Sequence, residues 1–342
     1  MLRIGFLGIA HMHSYSYIRQ LKSLHEVKIA GIYDRDTIKA KKASDKFNLE
    51  LFKDPKELVD ISDAIVVTSE NSLHKEYSEL AMKNGKHVLC EKPIATSEED
   101  AHSMLKTAKE NNVIFQMAFP VRYAPSIQQA KKEIEAGKLG KILSITATNH
   151  GRMPGGWFVN KELSGGGAVM DHTVHVVDII RWLLNSEITE VSAEYETLIY
   201  DIPVEDCGLL MLKLSNGAFM SLDCSWSRPK AHPYWGDVTL HLIGTKGSLW
   251  LSAFNAKVKV YSNKNGVIWE NFGDNFDASL VKEFINSIKE GREPLTTGRD
   301  GLEALKVALA AYKSKEINEP VKLSINKCNV KKTKGGENDE KE

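Results

Sequence analysis

Up to about residue 120 this chain repeats one grammar: a short apolar run, a turn, then a stretch of helical period. The run LRIGFLGIA ends in glycines and leads into a predicted helix over 13–24, after which VKIAGIYD stops at Asp34. Helix and strand then alternate: 36–47, a helix from Pro55 into DAIVVTS, 73–83 into HVLCEK, and 97–111 into VIFQMAF. Strands separated by helices pair through crossover connections, which makes them parallel. The pattern predicts an α/β domain over 1–120, built on a doubly wound parallel sheet.

Beyond Pro120 the pattern changes to a helix near 126–136 and then to alternating runs: KILSITATNH, EVSAEYETLI, CGLLMLKLS, AFMSLDCSWS, DVTLHLIG and AKVKVYS. Turn signals at Ser215-Asn216-Gly217 and Gly244-Thr245-Lys246-Gly247 suit antiparallel hairpins. We expect an α+β domain over 121–326, mainly an antiparallel sheet, with helices at 278–289 and 301–314 and a last strand in PVKLSI. The 301–314 helix is expected to pack back between the domains. The charged segment 327–342 has almost no apolar residues and is expected to be disordered.

Forty-five basic and forty-five acidic side chains cancel, so the charge excess of a nucleic-acid binder is missing. The four cysteines, Cys90, Cys207, Cys224 and Cys328, form no C-x-x-C pair, which argues against a zinc site and a disulfide framework. No basic and apolar leader precedes the first strand, and no apolar run nears the roughly 20 residues that span a bilayer. A cytoplasmic protein without membrane partners is expected.

Three segments carry chemistry. In GKHVLCEKP (85–93), Val88-Leu89 reads as a buried strand that Pro93 must end, so Lys92 projects from the carboxyl edge, where ligands bind in open α/β sheets. The plainer reading is a surface lysine neutralised by Glu91. At the first turn only Gly8 of the G-x-G-x-x-G fingerprint survives; Ala10 is small enough for a diphosphate to approach, but His13 stands where glycine usually lets helix and strand pack. His11 and His13 either donate to phosphate or substrate, or pack beneath the cofactor. Asp34 is placed to accept from both ribose hydroxyls and to repel a 2′-phosphate, while Arg35 softens that preference; NAD is expected ahead of NADP. The third segment, GGGAVMDHTVHVVD (165–178), puts Asp171, His175 and Asp178 on one helical face, two carboxylates beside an imidazole suited to accept a proton. Alternatively Asp171 is an N-cap and His175 a core histidine. Asp171, His172 and His175 match no zinc spacing, and no metal is expected.

With TSENSLH (68–74), GKHVLCEKPIA, AFPVRY (118–123), the glycine-led helix and GREPLTTGRDGLEALKVALAAYKS (291–314), the chain resembles the Gfo/Idh/MocA superfamily over nearly all residues before the tail. The resemblance implies an N-terminal Rossmann domain and an open, mainly antiparallel C-terminal sheet, with helices on one face and dimer or tetramer contacts on the other. It implies NAD(P)-linked oxidation or reduction of a hydroxyl carbon in a sugar, polyol or related compound. Lys92, Asp171 and His175 are then catalytic, with a cis peptide at Lys92-Pro93. The candidate cofactor set is Gly8, Ala10, His11, Met12, His13, Asp34, Arg35, Thr68, Asn71, His74, Glu91 and Lys92. The degraded glycine turn and His172-Thr173 depart from the family pattern.

Hydride loss from a carbinol needs a base and an alkoxide stabiliser. His175, oriented by Asp171, is assigned as base and Lys92 as stabiliser, roles that are exchangeable at this stage. Arg122 and Tyr123 are substrate contacts or an interdomain pair. His172 and Trp157 are further substrate candidates, and the loops 150–158 and 225–237 concentrate aromatic, histidine and arginine residues that suit a sugar, with interface or core packing the alternative for Trp157, Trp226 and Trp235. Two other readings compete: a dinucleotide-binding sensor without turnover, and a reductase of an imine or conjugated carbonyl. The presence of Lys92, Asp171 and His175 favours an enzyme.

Overall fold

The computed structural model describes residues 1–232, 234–254 and 275–324, together with the backbone of the strands Lys257–Ser262 and Gly266–Asn271. The expected disordered tail, Cys328 included, lies outside the described residues.

The first sheet grows from β1 (Leu2–Leu7), α1 (Ser14–Lys22), β2 (Val27–Tyr33), α2 (Thr37–Phe47), α3 (Pro55–Ile61), β3 (Ala64–Val67), α4 (His74–Lys83), β4 (His87–Glu91), α5 (Glu98–Glu110) and β5 (Phe115–Ala118). Side chains of Asp36, Asp54 and Ser97 accept from first-turn amides, which starts α2, α3 and α5 where the sequence places them. The five strands are all parallel, in the order β2-β1-β3-β4-β5. Single bridges lengthen both edges, Ile32 to Leu51 beyond β2 and Gln116 to Thr297 beyond β5. Every residue of β3 is buried, as a strand covered on both faces requires. Strand order reverses between β1 and β3, so a crevice opens at their carboxyl ends.

The second sheet follows α6 (Pro125–Glu135). It contains β6 (Ile142–Thr148), then, after α7 (Lys161–Ser164) and α8 (Ala168–Leu184), β7 (Ile188–Glu196), β8 (Cys207–Leu214), β9 (Phe219–Asp223), β10 (Thr239–Gly244) and β11 (Ser248–Ser252). The two backbone-described strands, β12 and β13, form a separate hairpin, and α9 (Phe276–Glu290), α10 (Gly298–Ile317) and β14 (Val321–Lys322) follow. The seven-stranded order is β11-β10-β6-β9-β8-β7-β14. Both anticipated hairpins form, β8–β9 and β10–β11, and Gly217 takes the left-handed conformation its turn needs (φ 88°). One pair, β6–β9, is parallel, because α8 separates β6 from β7 in the chain and carries the next strand to the far edge.

Burial alternates along β8: Leu210, Leu212 and Leu214 face the helices, and Leu209 and Met211 face away. The helix α10 packs on α8 and β7 and also on α5 and β5. Just before it, Thr296 locks onto β5, its carbonyl accepting from Met117 N (3.0 Å) and its hydroxyl donating to Met117 O (2.7 Å). This segment therefore fixes the two sheets to each other.

Candidate active site

Three successive glycines leave the start of α8 without a side chain to cap it, yet its leading amides all have partners. Gly167 N (2.8 Å) and Val169 N (3.1 Å) donate to Glu205 Oε1, Ala168 N donates to the Glu205 carbonyl (2.9 Å), and Met170 N donates to Tyr312 Oη (3.2 Å). Tyr312 in turn donates to Glu205 Oε1 (2.7 Å). A Cβ on Gly167 would lie 2.0 Å from the Glu205 carbonyl oxygen, and one on Gly166 would lie 1.9 Å from Tyr312 Oη. The glycine run is thus the space into which two remote residues reach to satisfy the helix.

One turn into α8, Asp171 meets Lys92. The lysine follows the end of β4, its bond to Pro93 is cis, and its ammonium pairs with Asp171 Oδ1. The other carboxylate oxygen accepts from Trp226 Nε1 (3.1 Å) and lies 3.4 Å from His172 Nε2. Burial opposes the charge on Asp171, but Lys92 and His172 outweigh it and hold the carboxyl well below its usual range. The expected bond from Asp171 to His175 is not made, and Asp178 does not flank the imidazole by a bond either: it pairs with Arg122. His175 Nδ1 is buried without a hydrogen-bond partner among the described residues, and the ring meets Phe119 edge-on at 6.3 Å. Burial, reinforced by the Lys92 charge, pushes His175 well below its ordinary pKa, so it is neutral at neutral pH. His172 is fixed through Nδ1 to the Cys224 carbonyl (3.0 Å).

At the first turn, Gly8 (φ 83°) lies against Ser69 so closely that a Cβ would come within 2.4 Å of its Cα. The Thr68 hydroxyl donates to the Gly8 carbonyl (2.5 Å), and the Thr68 carbonyl accepts from His11 N (2.9 Å). Asp34 accepts from Ile9 N and Asp36 N, which fixes its carboxylate at the end of β2. Arg35 is held by Glu76 at 2.6 and 2.7 Å. Asn71 donates to the Ser164 carbonyl (2.8 Å) and retains a buried Oδ1 without a partner among the described residues. His74 is wholly buried between the Pro93 (2.8 Å) and Ser69 (3.3 Å) carbonyls, a brace for two loops rather than a face of the crevice. Glu91 is buried as well and accepts from Tyr17 Oη (2.6 Å) and Lys92 N (3.1 Å), with His13 Nδ1 at 3.1 Å and His11 Nδ1 at 3.5 Å. Both histidines therefore pack on Glu91 while they also line the cavity beside Met12. His11, His13 and Glu91 are spaced within reach of one metal ion, but the Glu91 oxygen nearest both rings is already occupied by Tyr17.

A cavity of about 650 Å³ joins this turn to Lys92, Asp171, His172 and His175. Arg122, Tyr123 and Trp157 are not in its lining. Arg122 is buried against Asp178 and donates to the Leu295 carbonyl (2.5 Å), and Tyr123 Oη lies 3.3 Å from Thr296 Oγ1, so both side chains bond within the second part of the chain, neither to a ligand face nor to the first domain. Trp157 stacks on Phe158 (3.9 Å) and donates to the Ala10 carbonyl (3.1 Å), so it joins the β1–α1 turn to the second half of the chain. Ala10 thus contributes its carbonyl to this contact. Sequence reasoning marked the loops around 150 and 230 without assigning His150 and Asp237, which do line the cavity.

His150 is clamped by Asp223 at Nε2 and Asp237 at Nδ1, both 3.1 Å, and these bonds raise its pKa to about 9. Because the folded value exceeds the ordinary 6.5, the clamp stabilises the fold fully below about pH 6.5 and loses that contribution as pH rises through 9. Thermal unfolding should therefore show Tm of the wild type falling more between these pH values than Tm of His150→Gln; parallel curves would refute the clamp.

Residues 2–119 match the family model of the NAD-binding Rossmann-fold oxidoreductases, and residues 127–250 match that of the GFO/IDH/MocA C-terminal domain. The chain is similar to myo-inositol 2-dehydrogenase of Thermotoga maritima, with 27% identity across 94% of this chain and 98% of the relative. It is also similar to scyllo-inositol 2-dehydrogenase (NAD(+)) of Bacillus subtilis, with 27% identity across 96% and 98%. Among solved structures, myo-inositol 2-dehydrogenase from Lactobacillus plantarum superposes with a TM-score of 0.83 at 26% identity, covering 94% of this chain and 99% of that one. With both halves matched in order and the motif residues gathered around one cavity, the chain belongs to the GFO/IDH/MocA oxidoreductase family.

Proposed function

We propose that the protein is an NAD-dependent dehydrogenase that oxidises a hydroxyl-bearing carbon of a sugar, polyol or related small molecule, or reduces the corresponding carbonyl. The observation that carries this reading is the placement of the Lys92–Asp171 pair and neutral His175 in one cavity with the β1–α1 turn. The crevice fits a dinucleotide: the Asp34 carboxylate stands at the end of β2, and the buried, unpartnered Asn71 Oδ1 is an acceptor awaiting a donor. Bound NAD supplies the hydride acceptor.

The chain supplies the rest. Lys92, paired with Asp171, is suited to hydrogen-bond the substrate oxygen and steady its developing negative charge. His175, neutral at neutral pH, is suited to take the hydroxyl proton. The neutral imidazole of His175 and the engagement of Lys92 with a carboxylate favour His175 as base over the exchanged assignment. Asp171 bonds to Lys92 and not to His175, while Trp226 and His172 secure Asp171. Absorbance of reduced nicotinamide, followed with inositols, aldoses and sugar acids, tests the reading. Tight NAD binding with no reduction by any of them would favour a sensor, and turnover confined to imine or conjugated carbonyl acceptors would favour that reductase.

The grip of Glu76 on Arg35 leaves Asp34 as the dominant charge facing the adenosine ribose. The dissociation constant for NAD is expected to be roughly tenfold or more below that for NADP. Tighter NADP binding, measured by calorimetry, would overturn the assignment.

Leu209, Met211, Phe219, Ile243 and Trp250 stand 43–62% exposed on strands of the second sheet. Such an apolar face supports a homodimer or homotetramer through this sheet, which light scattering of the purified protein would test. The free thiols Cys90, Cys207 and Cys224 support a reducing, cytoplasmic setting. Among the described residues no helix is long and apolar enough to cross a membrane.

A further inference from the structure

The cavity has a second chemical character away from its proton-handling residues. The starts of α6 and α9 and the end of β11 contribute Pro125, Ala253, Phe254 and Phe276 to its wall. Phe254 and Phe276 meet with ring centroids 5.5 Å apart, and Phe254 remains 37% exposed. Two of the polar groups nearby are already engaged: Ser126 Oγ donates to the Ser252 carbonyl (3.3 Å), and Asn275 Oδ1 accepts from Asp277 N (3.0 Å) and Ala278 N (3.3 Å). Asp277, a charged lining residue there, acts on His13 at the start of the neighbouring α1. Against Pro125, Ala253, Phe254 and Phe276 a compact polyol bearing hydroxyls all round would give up water and find the Asp277 carboxylate as its replacement acceptor, too few partners for its hydroxyls. A flat apolar ring would instead cover exposed aromatic surface.

From this we infer, building on the dehydrogenase reading above, that the substrate is a glycoside: its sugar meets Lys92 and His175, and a ring-bearing aglycone lies on Phe254 and Phe276. The inference adds an aglycone subsite to a site otherwise defined by its sugar.

Matched methyl and phenyl glycosides of glucose, galactose and mannose test it, since each pair differs only in the aglycone. Two quantities are measured, kcat/KM with NAD and calorimetric affinity in the presence of NADH. For the sugar accepted, the phenyl member is expected to exceed the methyl member roughly tenfold or more in both. In Phe254→Ala and Phe276→Ala that ratio should collapse towards one. A methyl member as good as or better than its phenyl partner, a ratio unchanged in both variants, or failure of every glycoside to bind would overturn the subsite. Oxidation of a free polyol with no phenyl preference would defeat the subsite and leave the dehydrogenase reading standing. Phenyl-selective binding without NADH formation from any substrate would do the reverse.

Discussion

Lys92→Met is expected to lower kcat by about a hundredfold or more, because the substrate oxygen loses the cation that would steady it as its proton leaves. The same change strands Asp171, which is 14% exposed and keeps, among the described residues, Trp226 and His172 as side-chain partners. Leaving a buried charge without its counter-ion costs about 3–5 kcal/mol, so a fall in Tm should accompany the loss of turnover. The two effects separate in the double variant Lys92→Met/Asp171→Asn. Its Tm should recover much of the loss while kcat stays low. Recovery of kcat together with Tm would show that Lys92 serves the fold and not the reaction. Calorimetric titration with NAD checks that the crevice is intact in both variants.

Gly167→Ala is expected to cost about 3 kcal/mol or more, far beyond the usual penalty for a helix-start glycine, because its Cβ would lie 2.0 Å from a backbone carbonyl that no rotamer change can move. Glu205 must retreat, and with it go the partners of Gly167, Ala168 and Val169 at the head of α8. Denaturant unfolding measures the stability loss. In the surviving fraction, kcat should fall more than affinity for NAD, since α8 carries Asp171 and His175 while the crevice lies on the first sheet. A well-folded variant with normal kcat would show that the cap does not position the catalytic groups.

Much of the architecture was legible from periodicity. Continuous apolar runs marked β1 and β3, alternation marked β8, and turn residues joined β8 to β9 and β10 to β11. Alternation states which face a strand presents but not which strand lies beside it, so the parallel β6–β9 pair was not legible. The same distinction holds at the site. Lys92, Asp171 and His175 could be named from their motifs, but the i to i+4 spacing suggested a bond between the last two. A lysine 79 residues away takes the carboxylate instead, because an ammonium satisfies a buried anion better than an uncharged imidazole. Arg122 followed the same logic and found Asp178 rather than a ligand. Glu205 and Tyr312 carried no local signal, since neither stands near the glycines in the chain.

That last separation has a consequence for the order of folding. The parallel sheet can condense from neighbouring strand–helix units, each closing a modest loop. The head of α8 waits for a carboxylate 36 residues onward and a phenol 142 residues onward. Loop closure over such spans comes late, after the crevice has taken shape. The head of α8, and with it the setting of Asp171 and His175, is therefore expected to form after the parallel sheet.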